Sequence, residues 1–176
     1  ADNNTALGYE ALKANTTGTL NVAVGANCLD DNTTGSSNIG MGQATLGSNS
    51  TGSNNTAVGH AALFGNTTAS DNVAVGYNSL LLNTTGTQNT ALGTNALDAN
   101  TTASFNTALG YQALGSTTTG AQNTAVGRSA MIVNTTGQNN VAVGMNSLTN
   151  STTADNTVAI GHSALAACTT GDDNVA

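Results

Sequence analysis

Residues 4–20 read NTALGYEALKANTTGTL, and the next seventeen, 21–37, read NVAVGANCLDDNTTGSS. The same unit returns without insertion or deletion as far as residue 173, giving ten copies, and residues 174–176 open another. Gly8, Gly25, Gly42, Gly59, Gly76, Gly93, Gly110, Gly127, Gly144 and Gly161 stand 17 residues apart. A fixed period of this length marks a repeat architecture in which each copy forms one coil stacked on its neighbours. Residues 1–176 therefore read as a single uninterrupted domain. The expected fold is an all-β parallel β-solenoid of ten 17-residue coils, with two to three short strands per coil. A helical solenoid is the competing architecture, but the unit is short and rich in Thr, Asn and Gly, all of which weaken helices.

Numbering the columns from Asn4 lets the copies be compared position by position. Column nine is Leu in nine copies, among them Leu12, Leu29, Leu63, Leu97, Leu114 and Leu165, with Met131 in the other. That pattern describes a buried aliphatic stack. Column four is aliphatic throughout and column two alternates between Thr and a β-branched aliphatic, so the two read as the inward face of a strand. Column three, between them, is Ala in every full copy except Gly40. On that reading it points outward, where its persistent smallness suggests lateral packing against something else. Columns one to four are expected to form the first strand, columns six to ten a second, and columns twelve to fifteen a corner or short third side. Glycine at column five suits a corner with positive φ or a close backbone approach.

The polar columns are as regular as the apolar ones. Column one is Asn in nine full copies, including Asn21, Asn72, Asn89 and Asn106; column twelve is Asn in seven and column fourteen is Thr in all ten. Identical residues stacked about 4.8 Å apart allow Asn amides to hydrogen-bond along the axis, as in other in-register parallel stacks. Charged residues occur only in columns six, seven, ten, eleven, sixteen and seventeen, which read as the solvent-facing surface.

The strand-and-corner half of the unit, N-[TV]-A-[VL]-G-x-x-[AS]-L, resembles the head repeats of trimeric autotransporter adhesins. Val158, Ala159, Ile160 and Gly161 match their V-A-I-G motif letter for letter. The NTTG half departs from that motif, and this unit is longer. A looser similarity extends to Toblerone-shaped β-solenoid filaments of environmental bacteria. These resemblances imply a left-handed coil, a bacterial extracellular or cell-surface location, and a structural role in which copies associate laterally or as trimers.

Composition narrows the function further. Charged residues make up 6% of the chain, against about 25% in ordinary domains, and the net charge is −7 with only Lys13 and Arg128 basic. No basic run is available to neutralise phosphates or anionic lipid, which disfavours nucleic acid as a partner. No apolar stretch approaches the ~20 residues of a membrane helix. Both ends carry ordinary repeat sequence rather than a divergent cap, and an open coil face is a template for pairing. The expected partner is therefore the chain itself, stacked head to tail, with residues Asn4, Thr5 and Ala6 of one copy near Asn174, Val175 and Ala176 of another. Because 176 is ten units of 17 plus six residues, the junction is expected to need an overlapping strand or an offset.

Candidate chemistry is sparse. His60 and His162 share column six but lie six coils apart, about 29 Å by the rung spacing, too far to share a metal. Cys28 and Cys168 lie in different columns and far beyond bridging distance. Asp30-Asp31 and Asp172-Asp173 lack the spacing of a calcium-binding roll and read as solvated acids. Seven N-T-T or N-S-T triplets between Asn15 and Asn134 fit the N-glycosylation pattern, but their register with the coil favours an Asn ladder. No catalytic set recurs, so the chain is expected to be neither enzyme nor cofactor carrier. The expected function is a structural protein that self-assembles into an extracellular fibre of a matrix, biofilm or surface filament. The alternative is an adhesin or phage-fibre module that binds a receptor through the variable surface columns, including Tyr9, Tyr77, Tyr111 and Arg128. Ice binding through the Thr columns is a further alternative, disfavoured because adjacent residues on a strand face opposite ways, so the Thr-Thr pair is not expected to form one outward array.

Overall fold

The computed structural model describes all 176 residues, and the chain forms ten three-residue strands with no helix. The strands are β1 (Thr5–Leu7), β2 (Val22–Val24), β3 (Ile39–Met41), β4 (Thr56–Val58), β5 (Val73–Val75), β6 (Thr90–Leu92), β7 (Thr107–Leu109), β8 (Thr124–Val126), β9 (Val141–Val143) and β10 (Val158–Ile160). They make one parallel sheet in sequence order. Thr5 lies opposite Val22, Ala6 opposite Ala23, and every later pair keeps the same register. Residues 174–176 continue the stack through a bridge from Val158 to Val175. The chain is thus a parallel β-solenoid with one rung every 17 residues.

Each coil contributes one strand, not two or three, and that strand faces the opposite way from the sequence reading. Column three is the inward position: Ala23, Ala57, Ala74, Ala91 and their counterparts up to Ala159 are fully buried, whereas columns two and four are half-buried or exposed. Space inside the coil explains the inversion. A Cβ on Gly40 would sit 2.5 Å from Cys28 Sγ and 3.5 Å from Leu29 Cδ1, so column three of each coil abuts columns eight and nine of the coil before it. The Leu stack already fills the interior, which leaves room for a methyl group on the strand and nothing larger. Smallness at column three therefore marks the core, and the expected lateral contact there is overturned.

Columns six to ten are a run of turns. Glu10 and Leu12 have φ of 56° and 54°, and the equivalent residues of later coils repeat these values. Ala11 N–H donates to Gly8 O within the coil at 3.4 Å, while Leu12 N–H donates to Cys28 O of the next coil at 3.1 Å. A left-handed Leu costs roughly 1–2 kcal/mol. Burying its side chain returns about 1.5–3 kcal/mol, enough to hold the conformation. Leu29, Leu46, Leu63, Leu80, Leu97, Leu114, Met131 and Leu148 are fully inaccessible, and Leu12 and Leu165 pack on this core at its two ends.

The remaining side keeps a rhythm of three. Asn32 is buried, Thr33 half-buried, Thr34 exposed, Gly35 buried, Ser36 half-buried, Ser37 exposed and Asn38 buried. Neither the strand period of two nor the helix period of 3.6 gives that order. Glycine at column five is required for space as well as dihedral: Gly25 has φ 136°, and a Cβ there would meet Gly42 O at 2.4 Å.

Candidate functional site

The surfaces that could act are the two faces of a coil and the outer face of the sheet. Two Asn ladders organise the coil faces. In the second coil, Asn21 Nδ2 and Asn32 Nδ2 converge on Gly35 O at 2.9 and 3.0 Å, tying the start of the coil and the start of its three-residue rhythm to one carbonyl. Between coils the two columns behave differently. In column one a backbone N–H donates to the preceding side chain: Asn21 N–H to Asn4 Oδ1, then Asn38 N–H to Asn21 Oδ1, both at 2.9 Å. In column twelve amide meets amide, with Asn32 Nδ2 to Asn15 Oδ1 at 2.9 Å and Asn66 Nδ2 to Asn49 Oδ1 at 2.7 Å. Both ladders aim their Oδ1 atoms at the following coil, so the stack is polar along its axis.

The column-twelve ladder runs unbroken from Asn15 to Asn100 and stops at Thr117. Asn100 Oδ1 is left buried without a partner, and along the stack Asn134 Nδ2 finds Thr117 Oγ1 at 3.4 Å in place of an amide oxygen, keeping its bond to Gly137 O at 3.2 Å. Asn134 Oδ1 and Ser151 Oγ are orphaned in the same way. The N-T-T triplets lie on this ladder. From Asn32 to Asn100 their Nδ2, the atom a glycan would need, is buried and donates both its hydrogens.

Main-chain bonds complete the coil face and run in both directions. Val22 N–H donates forward to Asn38 O at 2.8 Å, while Gly25 N–H donates back to Leu7 O at 2.8 Å and Asn27 N–H back to Tyr9 O at 2.8 Å. Thr16 and Thr33 add hydroxyl bonds to the column-thirteen carbonyl of the following coil. Residues 174–176 engage the tenth coil through the same set, Val158 N–H to Asn174 O at 2.8 Å and Ala176 N–H to Val158 O at 2.9 Å.

The outer sheet face is the feature that sequence reasoning missed. Columns two and four contain only Val, Leu, Ile, Met and Thr, and they form a strip along the whole rod. The signal lay in column three: alternation of small and aliphatic residues says which face has less room, not which faces solvent. The argument against an outward Thr array also fails, because columns thirteen and fourteen do not alternate. Thr34 is exposed and Thr33 half-buried, with Gly35 inside.

The other residues stay apart. The His60 ring stacks on Tyr77 of the next coil, with centroids 5.2 Å apart and planes at 13°. His162 is six rungs beyond His60 in the same column. Cys28 and Cys168 are free thiols; burial pushes the Cys28 thiol up from 9.0 to about 11. Burial also raises the Asp98 carboxyl, and the neighbouring Lys13 ammonium lowers that of Glu10 through a 3.0 Å ion pair. No three His, Cys, Asp or Glu side chains gather into a metal-binding group, and no helix is long and apolar enough to cross a membrane. Scans against family models, curated proteins and solved structures return no match for this chain.

Proposed function

We propose that this chain is a structural element of an extracellular bacterial fibre, acting by stacking coil on coil and, between copies, head to tail. One observation carries the reading: the forward and backward hydrogen bonds between coils repeat on every rung, so the two faces of a coil are complementary by construction. A coil face of one copy then offers the opposite face of another the main-chain donors and acceptors that Gly25 and Asn27 already use inside the chain. The ladders give the stack a direction, because every column-twelve amide from Asn32 on donates toward the N-terminal side. Like stacks on like in one register, as in other parallel in-register assemblies. Negative-stain microscopy across a concentration series tests the proposal. Uniform filaments lengthening with concentration are expected; isolated rods of roughly 48 Å, ten rungs long, at every concentration would overturn it.

A second reading, a receptor-binding module, is favoured by the exposed aromatic residues of column six, where Tyr9, Tyr77 and Tyr111 stand clear of the surface. Binding to cells or immobilised glycans that is lost on replacing all three by Ser, with the fold retained, is its test.

A further inference from the structure

The outward sheet face has no partner within the chain, and its chemistry does not suit water. All twenty residues of columns two and four are Val, Leu, Ile, Met or Thr, with none charged. Leu7, Ile39, Met41, Val73, Leu92 and Ile160 are between 39% and 68% exposed. Exposed Tyr77 and Tyr111 in column six and Phe105 in column seventeen widen the strip on its two sides. A soluble protein rarely leaves a continuous apolar strip along its full length uncovered.

We infer that this face is a lateral interface whose occupant is the same face of a second copy, the two rods lying side by side with their axes aligned. Three features select that occupant. The first is period: a second solenoid has the same rung spacing, so one register lets the side chains of both sheets interdigitate at every rung, as in paired sheets stacked about 10 Å apart. The second is charge. Each copy carries −7, yet all eleven charged residues lie off the two strand columns, so face-to-face contact keeps the carboxylates out of its centre and leaves Asp71, Asp173 and Arg128 of the flanking columns at its rim. The third is area. Ten rungs give a strip about 48 Å long; three residues of strand make it roughly 10 Å wide, and a mostly polar rim from columns six and seventeen, with Tyr9, Tyr77, Tyr111, Leu20 and Phe105 in it, about doubles that. The result, on the order of 1,000 Å² per copy, matches the ~800 Å² per partner of a stable interface. It also grows with every added coil.

This inference does not depend on head-to-tail stacking. Sedimentation equilibrium gives the assembly mass of unstacked rods, and mass per length by electron scattering gives it for filaments. Wild-type protein is expected at two or more times 17.2 kDa, or at two or more chains per ~48 Å of filament. Val75→Lys with Leu92→Lys, outward on adjacent rungs, is expected to weaken lateral association at least tenfold while circular dichroism stays unchanged. Thr68→Lys with Thr85→Lys, exposed on column fourteen, is the control and should leave it intact. A single chain per rod in wild-type protein, or equal weakening by the control pair, would overturn the interface. Filaments that persist with halved mass per length in the Val75/Leu92 variant would separate lateral from end-to-end contact.

Discussion

Gly40 and Cys28 are each the odd member of their column, and they touch. Gly40 stands where every other full copy has Ala, and Cys28 where the others have Ala, Ser or Thr. The sulfur occupies the space of the missing methyl: a Cβ on Gly40 would lie 2.5 Å from Cys28 Sγ. Gly40→Ala alone should overpack a site with no free rotamer, costing about 1–3 kcal/mol. Cys28→Ala alone should leave a small void costing on the order of 1 kcal/mol. The double variant restores the Ala–Ala pair that Ala11 with Ala23 and Ala62 with Ala74 supply at other junctions, so the two losses should largely cancel, with a coupling of ~1 kcal/mol or more in a double-mutant cycle read by urea unfolding. Simple addition of the two losses would refute the contact. Burial has a second consequence for the same thiol. Its folded-state pKa of about 11 lies above the ordinary 9.0, so the folded chain holds this proton more tightly than the unfolded one. Stability linked to Cys28 is therefore complete below pH 9.0 and lost as pH rises toward about 11. Cys28→Ala should flatten that part of a stability–pH profile, and a thiol reagent at pH 8 should label Cys168 but spare Cys28 until the chain unfolds.

At the scale of one ladder, the break at Thr117 makes the amide stack testable. Thr117→Asn would place an amide between Asn100 Oδ1, now orphaned, and Asn134 Nδ2, whose one bond to the preceding coil is now the 3.4 Å contact. Completing the run should raise stability by about 1–2 kcal/mol, since satisfying a buried polar atom removes a desolvation penalty as well as adding a bond. Asn66→Ala should do the reverse. It removes the donor to Asn49 Oδ1 and Ala69 O and the acceptor of Asn83 Nδ2, and should cost roughly 2–4 kcal/mol in the same urea assay. These columns were legible in the sequence, because identity at a fixed period is what an in-register ladder imposes. The Leu stack and the column-five corner were legible for the same reason. The strand's orientation was not: Val22 and Val24 read as core by hydropathy alone, and only the narrow space left by the Leu stack puts Ala23 inside. The turn at columns six to ten was hidden because αL backbone at Leu12 or Leu29 runs against residue preference and is held by burial that no local pattern displays.

For the whole molecule, the rod is a one-dimensional array in which coils contact only their neighbours, so its stability is a sum of coil and junction contributions. Deleting residues 72–88, one full period, joins Asp71 to Asn89 and brings coil four onto coil six. The new junction sets Thr56 against Thr90, a pair of the kind β6 makes with β7, and Val58 against Leu92, a pair of the kind β5 makes with β6. The Asn66 and Asn100 amides come into ladder register in the same step. The shortened chain should fold, lose one rung of about 4.8 Å in length, and show a urea m-value lower by roughly a tenth, because m follows the surface exposed on unfolding. Deleting residues 72–80 removes about half a coil instead. It would set strand columns of one half against turn columns of the other, and every column-twelve amide after Asn66 would have to shift or lose its acceptor. That variant should fold only as separate segments, with a broadened, non-two-state urea transition. If both deletions unfolded alike, the additive account of the rod would fail. If the full-period deletion alone kept one sharp transition, registry between like columns, more than total length, would be what holds the solenoid together.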